Sequence, residues 1–252
     1  MKKWEKIVHG AFITEGNMVA FPTCFPGVTV PVTADESRIT AMDITNDGIV
    51  YAGTSGYAVH LLVGMFQAGM GMVFDMGTVK DGNYTVAVCC GRKNFVAGVN
   101  NKKGGQIVIR SLQCVPFSLI QEWRVSCIPY EYIGDVYAGE KIVHMVSDLK
   151  REEVIGVTEN HLFCFDFSSK KINIIEEFKE KTRGRLSIGS KGNIFGPDED
   201  KTLWKYEHKK GKLIRRYIKL PKGLWKDSNI MWGRDTLNGK LYTSDCEGKI
   251  FS

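Results

Sequence analysis

Five times along this chain a turn rich in Gly, Asn and Asp leads into an apolar strand that ends on small residues. A polar turn follows, and then a second strand rich in aromatic and β-branched residues. The copies pair residues 47–53 with 60–63, 93–98 with 106–109, 153–157 with 161–165, 192–196 with 203–206 and 238–244 with 249–252. A strand-built phrase that returns at a spacing of roughly 40–60 residues cannot bury its apolar face alone, so its copies must stack on one another.

That repeat predicts an all-β chain: a β-propeller of five four-stranded blades, forming a single domain over residues 1–252. The inner strands are expected at 38–44, 85–90, 141–147, 185–189 and 229–233, and the outer strands at 71–77, 117–124, 171–178 and 212–220. These segments alternate apolar with polar, as half-buried strands do. Asp47-Gly48, Asp81-Gly82, Lys103-Gly104-Gly105, Lys210-Gly211 and Asn238-Gly239 supply tight turns. The last copy stops after its third strand. An N-terminal segment, 5–12 or 16–21, is expected to complete it and close the ring. The alternative is a fragment of a larger propeller, for example one of seven blades. Residues 22–37 and 126–140 are long for propeller loops.

The chain has 252 residues, 43% hydrophobic and 25% charged, ordinary values for a globular domain. No apolar run approaches the ~18–20 residues that span a bilayer, so no membrane partner is expected. Glu5, Lys6 and His9 interrupt any apolar leader, so no signal peptide is expected. The seven cysteines are odd in number, irregularly spaced and without Cys-x-x-Cys. This argues against a disulfide framework or a zinc site and suits the cytoplasm, with secretion open if a leader was removed. The net charge of +6 is concentrated: residues 201–226 hold ten Lys or Arg against one acid, Glu207. This basic hairpin (205–226) could meet an anionic partner or simply protect a sheet edge. No nucleic-acid motif accompanies it, and no nucleic-acid partner is expected.

The motif Asp/Asn-Gly-x-Ile/Leu-Tyr-x-Gly-Thr/Ser followed by x-Leu-Phe/Tyr-x-Phe/Tyr stands best over residues 47–55, 153–166 and 238–252. It resembles the repeats of quinoprotein-like and YVTN-type β-propellers, and the likeness covers most of residues 38–252. The motif residues are turn and packing positions, so the resemblance implies fold and no specific functional family. It implies that ligands bind on the face made by loops entering the inner strands and loops joining second to third strands.

Familiar catalytic and cofactor signatures are absent, so neither a metal nor a cofactor is expected. His60 and His161 open the third strand of repeats one and three. Equivalent positions suggest a structural role more than metal binding or proton transfer. His144 lies on an inner strand near Asp148, where it could face a channel. His144, His161, Arg92 and Arg234 are the candidates for a base and for cations in an enzyme acting on an acidic glycan. The expected ligand face carries Tyr57, Tyr130, Tyr132, Tyr137 and Trp225, with Asn100, Asn101 and Asn160 beside them. Aromatic faces flanked by amides suit sugar rings and also suit protein interfaces. The sequence therefore points to a ligand-binding propeller, most simply for carbohydrate. A lyase or hydrolase on an acidic glycan and a protein-interaction scaffold are the alternatives.

Overall fold

The structure is a computed structural model. It describes residues 14–15, 18–22, 35–45, 48–67, 70–111, 130–179, 181–182, 184–189, 192–197, 202–207, 212–217, 232–234, 240–244 and 249–251. All regular structure among them is β-strand, and no helix there is long and apolar enough to cross a membrane. The chain divides into two compact units, Met1–Asp135 and Val136–Ser252.

The N-terminal unit contains β1 (Thr14–Glu15), β2 (Met18–Pro22), β3 (Arg38–Ile44), β4 (Val50–Ser55), β5 (Val59–Gln67) and β6 (Met70–Val79). After these come β7 (Tyr84–Cys90), β8 (Asn94–Asn100), β9 (Gly105–Ser111) and β10 (Glu131–Asp135). Strands β3 to β6 form the first antiparallel repeat and β7 to β10 the second. A single bridge, Ser55 to Tyr84, joins β4 to β7. Buried hydroxyls reinforce that seam. Thr85 donates its Oγ1 hydrogen to the Thr54 carbonyl at 2.7 Å and its N–H to Ser55 Oγ at 3.0 Å. The core beneath is built from Tyr51, Leu61, Val63, Val88, Phe95, Val99 and Val108, with the Tyr51 and Phe95 rings stacked at 4.7 Å.

The C-terminal unit repeats the plan. One sheet is β11 (Ile142–Asp148), β12 (Glu153–Thr158), β13 (His161–Asp166) and β14 (Lys171–Glu177). A second is β15 (Ser187–Ile188), β16 (Ile194–Pro197), β17 (Thr202–Glu207) and β18 (Lys212–Tyr217). A third is β19 (Trp232–Arg234), β20 (Leu241–Ser244) and β21 (Ile250–Phe251). Each of the five sequence copies falls on a second and third strand. The small residues that close the second strands have a steric cause. A Cβ on Gly196 would stand 2.1 Å from the Trp204 ring across the β16–β17 pair. One on Gly156 would stand 2.2 Å from Phe163 across β12–β13.

Two expectations need correction. The fourth strand of the second repeat, where described, is β10, which pairs with β9 from Glu131 opposite Ile109 to Asp135 opposite Gln106. It lies within 126–140, read from the sequence as loop, whereas 117–124 lies outside the described residues. All five residues of β10 are exposed or half-exposed, and a bulge between Tyr132 and Gly134 breaks its period, so it has no apolar alternation to detect. The second correction concerns the N-terminus. Segment 16–21 overlaps β2, which pairs in parallel with β6 of the first repeat through Ala20 to Gly71, Phe21 to Met72 and Pro22 to Val73. The other segment, 5–12, lies outside the described residues.

Candidate functional site

One end of the N-terminal unit holds a cleft of about 1070 Å³. Antiparallel pairing brings three turns there: β4–β5 with Gly56 and Tyr57, β6–β7 from Lys80 to Asn83, and β8–β9 from Asn101 to Lys103. Gln106 on β9 and Tyr130, Tyr132 and Asp135 around β10 complete the wall.

Backbone bonds hold the turns together. Gly56 N–H donates to the Asn83 carbonyl and Asn83 N–H to the Asn100 carbonyl, both at 3.0 Å, which ties the three turns into one series. Asp81 adopts φ 58°, a left-handed conformation that Asp tolerates better than most residues. Asn101 Oδ1 accepts the N–H groups of Lys103 at 2.7 Å and Gly104 at 3.0 Å, fixing the β8–β9 turn. The strand order then draws in β10. Lys80 donates its N–H to the Tyr130 hydroxyl at 2.7 Å, and Gln106 donates Nε2–H to the Lys80 carbonyl at 3.2 Å. The Tyr132 hydroxyl donates to Asp135 Oδ1 at 2.9 Å. Partial burial and then the Asp135 carboxylate raise the Tyr132 phenol above its ordinary pKa, so it stays a neutral donor.

Four of the expected ligand-binding residues meet here: Tyr57, Asn101, Tyr130 and Tyr132. Tyr57 is 85% exposed and offers an open ring face. Asn100 sits at the edge and contributes its carbonyl to the turn series. Trp225 lies outside the described residues. The sequence reading missed Lys80, Asn83, Lys102, Lys103, Gln106 and Asp135, which also line the cleft. Lys102 and Lys103 follow Asn101 on one turn, which was the available signal for them; Lys80 and Asn83 stand on the β6–β7 turn and Gln106 and Asp135 on strands, where no such signal stood.

Tyr137 and Asn160 belong to a different cluster, in the C-terminal unit. Glu140 accepts Thr158 Oγ1–H at 2.6 Å, Asn160 N–H at 3.2 Å and Asn160 Nδ2–H at 3.1 Å, and bonds His161 Nδ1 at 3.0 Å. The Tyr137 ring stacks on His161 at 3.8 Å between centroids. Burial alone would raise the Glu140 pKa, but bonds from His161, Thr158 and Asn160 outweigh it and hold the pKa down to about 2. His60 is anchored in the same way, with Nδ1 2.8 Å from Asp75 Oδ2 and Nε2 3.0 Å from Glu36 Oε2. Both histidines also donate their backbone N–H to a threonine hydroxyl on the preceding strand, Thr54 or Thr158. Equivalent positions have thus reached an equivalent packing solution.

The remaining candidates lie on separate strands and turns. His144 Nδ1 accepts the Leu186 N–H at 3.1 Å. Burial, and then the Arg185 charge, push its pKa down to about 4, so the ring is neutral at pH 7. Arg92 is exposed in the β7–β8 turn of the N-terminal unit. Arg234 lies on β19, and its side chain lies outside the described residues. In the basic hairpin, Lys205 pairs with Glu207 at 2.6 Å. Among the described residues, no group of three or more His, Cys, Asp or Glu is placed to hold a metal ion.

No family model matches this sequence, and no curated protein matches it. Solved structures do. The Dos1 propeller superposes with a TM-score of 0.57 at 10% identity, over 84% of this chain and 56% of that one. A nidogen/laminin complex gives 0.56 at 11% identity, over 87% and 75%. The extracellular domain of BT4673 from B. thetaiotaomicron gives 0.53 at 15% identity, over 86% of this chain but only 29% of the other. At such identities the likeness speaks for architecture alone, and with the five strand repeats it shows that the chain has the β-propeller fold.

Proposed function

We propose that residues 1–252 form a single ligand-binding β-propeller domain and that the cleft of the N-terminal unit takes carbohydrate. The observation that carries this reading is the convergence of Tyr57, Asn101, Tyr130 and Tyr132 in one open cleft of about 1070 Å³. Its size is at the upper end of small-ligand pockets, ~300–1,000 Å³, and suits a short saccharide lying along a groove. The exposed Tyr57 ring gives a sugar's apolar face a stacking platform, while Asn83 and the ordered Tyr132 hydroxyl supply polar groups at the wall.

Binding is favoured over turnover. Neither His144 nor His161, the candidate bases of an acidic-glycan lyase, lines the cleft; both lie in the C-terminal unit, where each Nδ1 is taken up by a structural hydrogen bond. A protein partner is the second reading, supported by exposed Tyr57 and Tyr132 and by the likeness to a protein found in the nidogen/laminin complex. We place the domain in the cytoplasm, in keeping with the thiols of Cys89 and Cys164, which stand outside any disulfide.

A glycan array tests the reading. The wild-type protein is expected to bind a related set of glycans, and Tyr57→Ala and Tyr132→Ala are expected to abolish the signal on that same set. Unchanged binding by both variants would overturn it.

A further inference from the structure

We infer that the cleft selects an acidic saccharide, one that carries carboxylate groups along its chain. This rests on the carbohydrate reading and adds a charge requirement to it. Three lysines line the cleft, Lys80, Lys102 and Lys103, against two acids, Asp81 and Asp135. Asp135 is already engaged by the Tyr132 hydroxyl. Among the described residues no carboxylate pairs with any of the three lysines.

The lysines are also placed, not merely present. Asn101 Oδ1 fixes the turn that carries Lys102 and Lys103, and Tyr130 and Gln106 grip both sides of the Lys80 peptide group. All three side chains are exposed, so each bond to an incoming carboxylate forms at the rim, in contact with water. Such bonds are individually weak and sensitive to salt. The stacking ring of Tyr57 lies on the same wall. A sugar acid has both features the wall answers to: a flat apolar ring face and a charge at its edge. A neutral sugar would leave the ammonium groups without a counterpart, and a small anion would leave the tyrosines without one.

Isothermal titration tests the inference with an oligogalacturonate and a neutral oligogalactose of equal length. Wild-type protein is expected to bind the acid about tenfold more tightly than the neutral chain, with the difference shrinking as salt rises from 50 to 300 mM. Lys102→Gln/Lys103→Gln is expected to weaken the acid about two- to tenfold and to leave the neutral chain unchanged. Tyr57→Ala is expected to weaken both, and Lys171→Gln, a charge change in the C-terminal unit, neither. Equal affinity for the two chains, or equal loss from Lys171→Gln, would overturn the inference while leaving the carbohydrate reading intact. A polyglutamate peptide bound as tightly as the oligogalacturonate would also overturn it. Binding of neither sugar would remove the carbohydrate reading itself.

Discussion

The Tyr130 hydroxyl accepts the backbone N–H of Lys80 at 2.7 Å, across fifty residues of chain. It connects the segment leading into β10 to the β6–β7 turn and so joins two walls of the cleft. Tyr130→Phe keeps the ring and removes the acceptor. Because the Lys80 N–H is exposed and can turn to water, the cost to folding is expected to be small, about 0.5–1.5 kcal/mol in urea unfolding. The cost to binding should be proportionately larger, since the turn carrying Lys80 and Asp81 loses its anchor. Titration of ligand into the variant checks this, with a fall in affinity expected at nearly unchanged stability.

The pairing of Gly196 with Trp204 makes a sharper stability prediction. Gly196→Ala puts a methyl group 2.1 Å from Trp204 Cζ2 and is expected to cost about 1–3 kcal/mol by overpacking. Cζ2 belongs to the part of the indole that phenylalanine lacks. In a Trp204→Phe background the same alanine should therefore cost much less, a coupling of about 0.5–3 kcal/mol in a double-mutant cycle. Trp204→Phe itself loses volume but no hydrogen bond, because Nε1 is buried without a partner among the described residues.

Glu140 and His60 predict pH effects of opposite sign. Glu140, held at about 2 against an ordinary 4.5, adds stability that is fully present above pH 4.5 and is lost as pH falls toward 2. Its side chain is only 12% exposed but lies close to solvent, so screening limits the contribution to about 1–2 kcal/mol. For His60, burial lowers the pKa, yet the bonds to Asp75 and Glu36 outweigh it and the net shift is upward from 6.5. Its contribution is full below pH 6.5 and is lost as pH rises through the raised value. Glu140→Gln should flatten the acid limb of the stability–pH curve and His60→Gln the limb above pH 6.5, both read by chemical denaturation.

Turn chemistry made most of the fold legible. Asp81-Gly82 and Lys103-Gly104 stand where the sequence reading put tight turns, and each repeated phrase is a real strand pair, because turns and alternation are local properties. Strand β10 was hidden for the converse reason: Glu131 to Asp135 is exposed and bulged, so its place depends on β9 and not on its own pattern. The lining of the candidate cleft was half legible. Projection onto the loop face found Tyr57, Asn101, Tyr130 and Tyr132. It also selected Tyr137 and Asn160, which bind His161 and Glu140 instead, because spacing does not reveal that a side chain is already engaged.

The most direct test of the central claim is a chemical-shift map of the isotope-labelled protein titrated with the best-binding saccharide. The account predicts perturbed amides at residues 56–57, 80–83, 101–106 and 130–135, with little change at residues 137–161. Saturable binding that moves the 137–161 amides and leaves the cleft turns unshifted would contradict it.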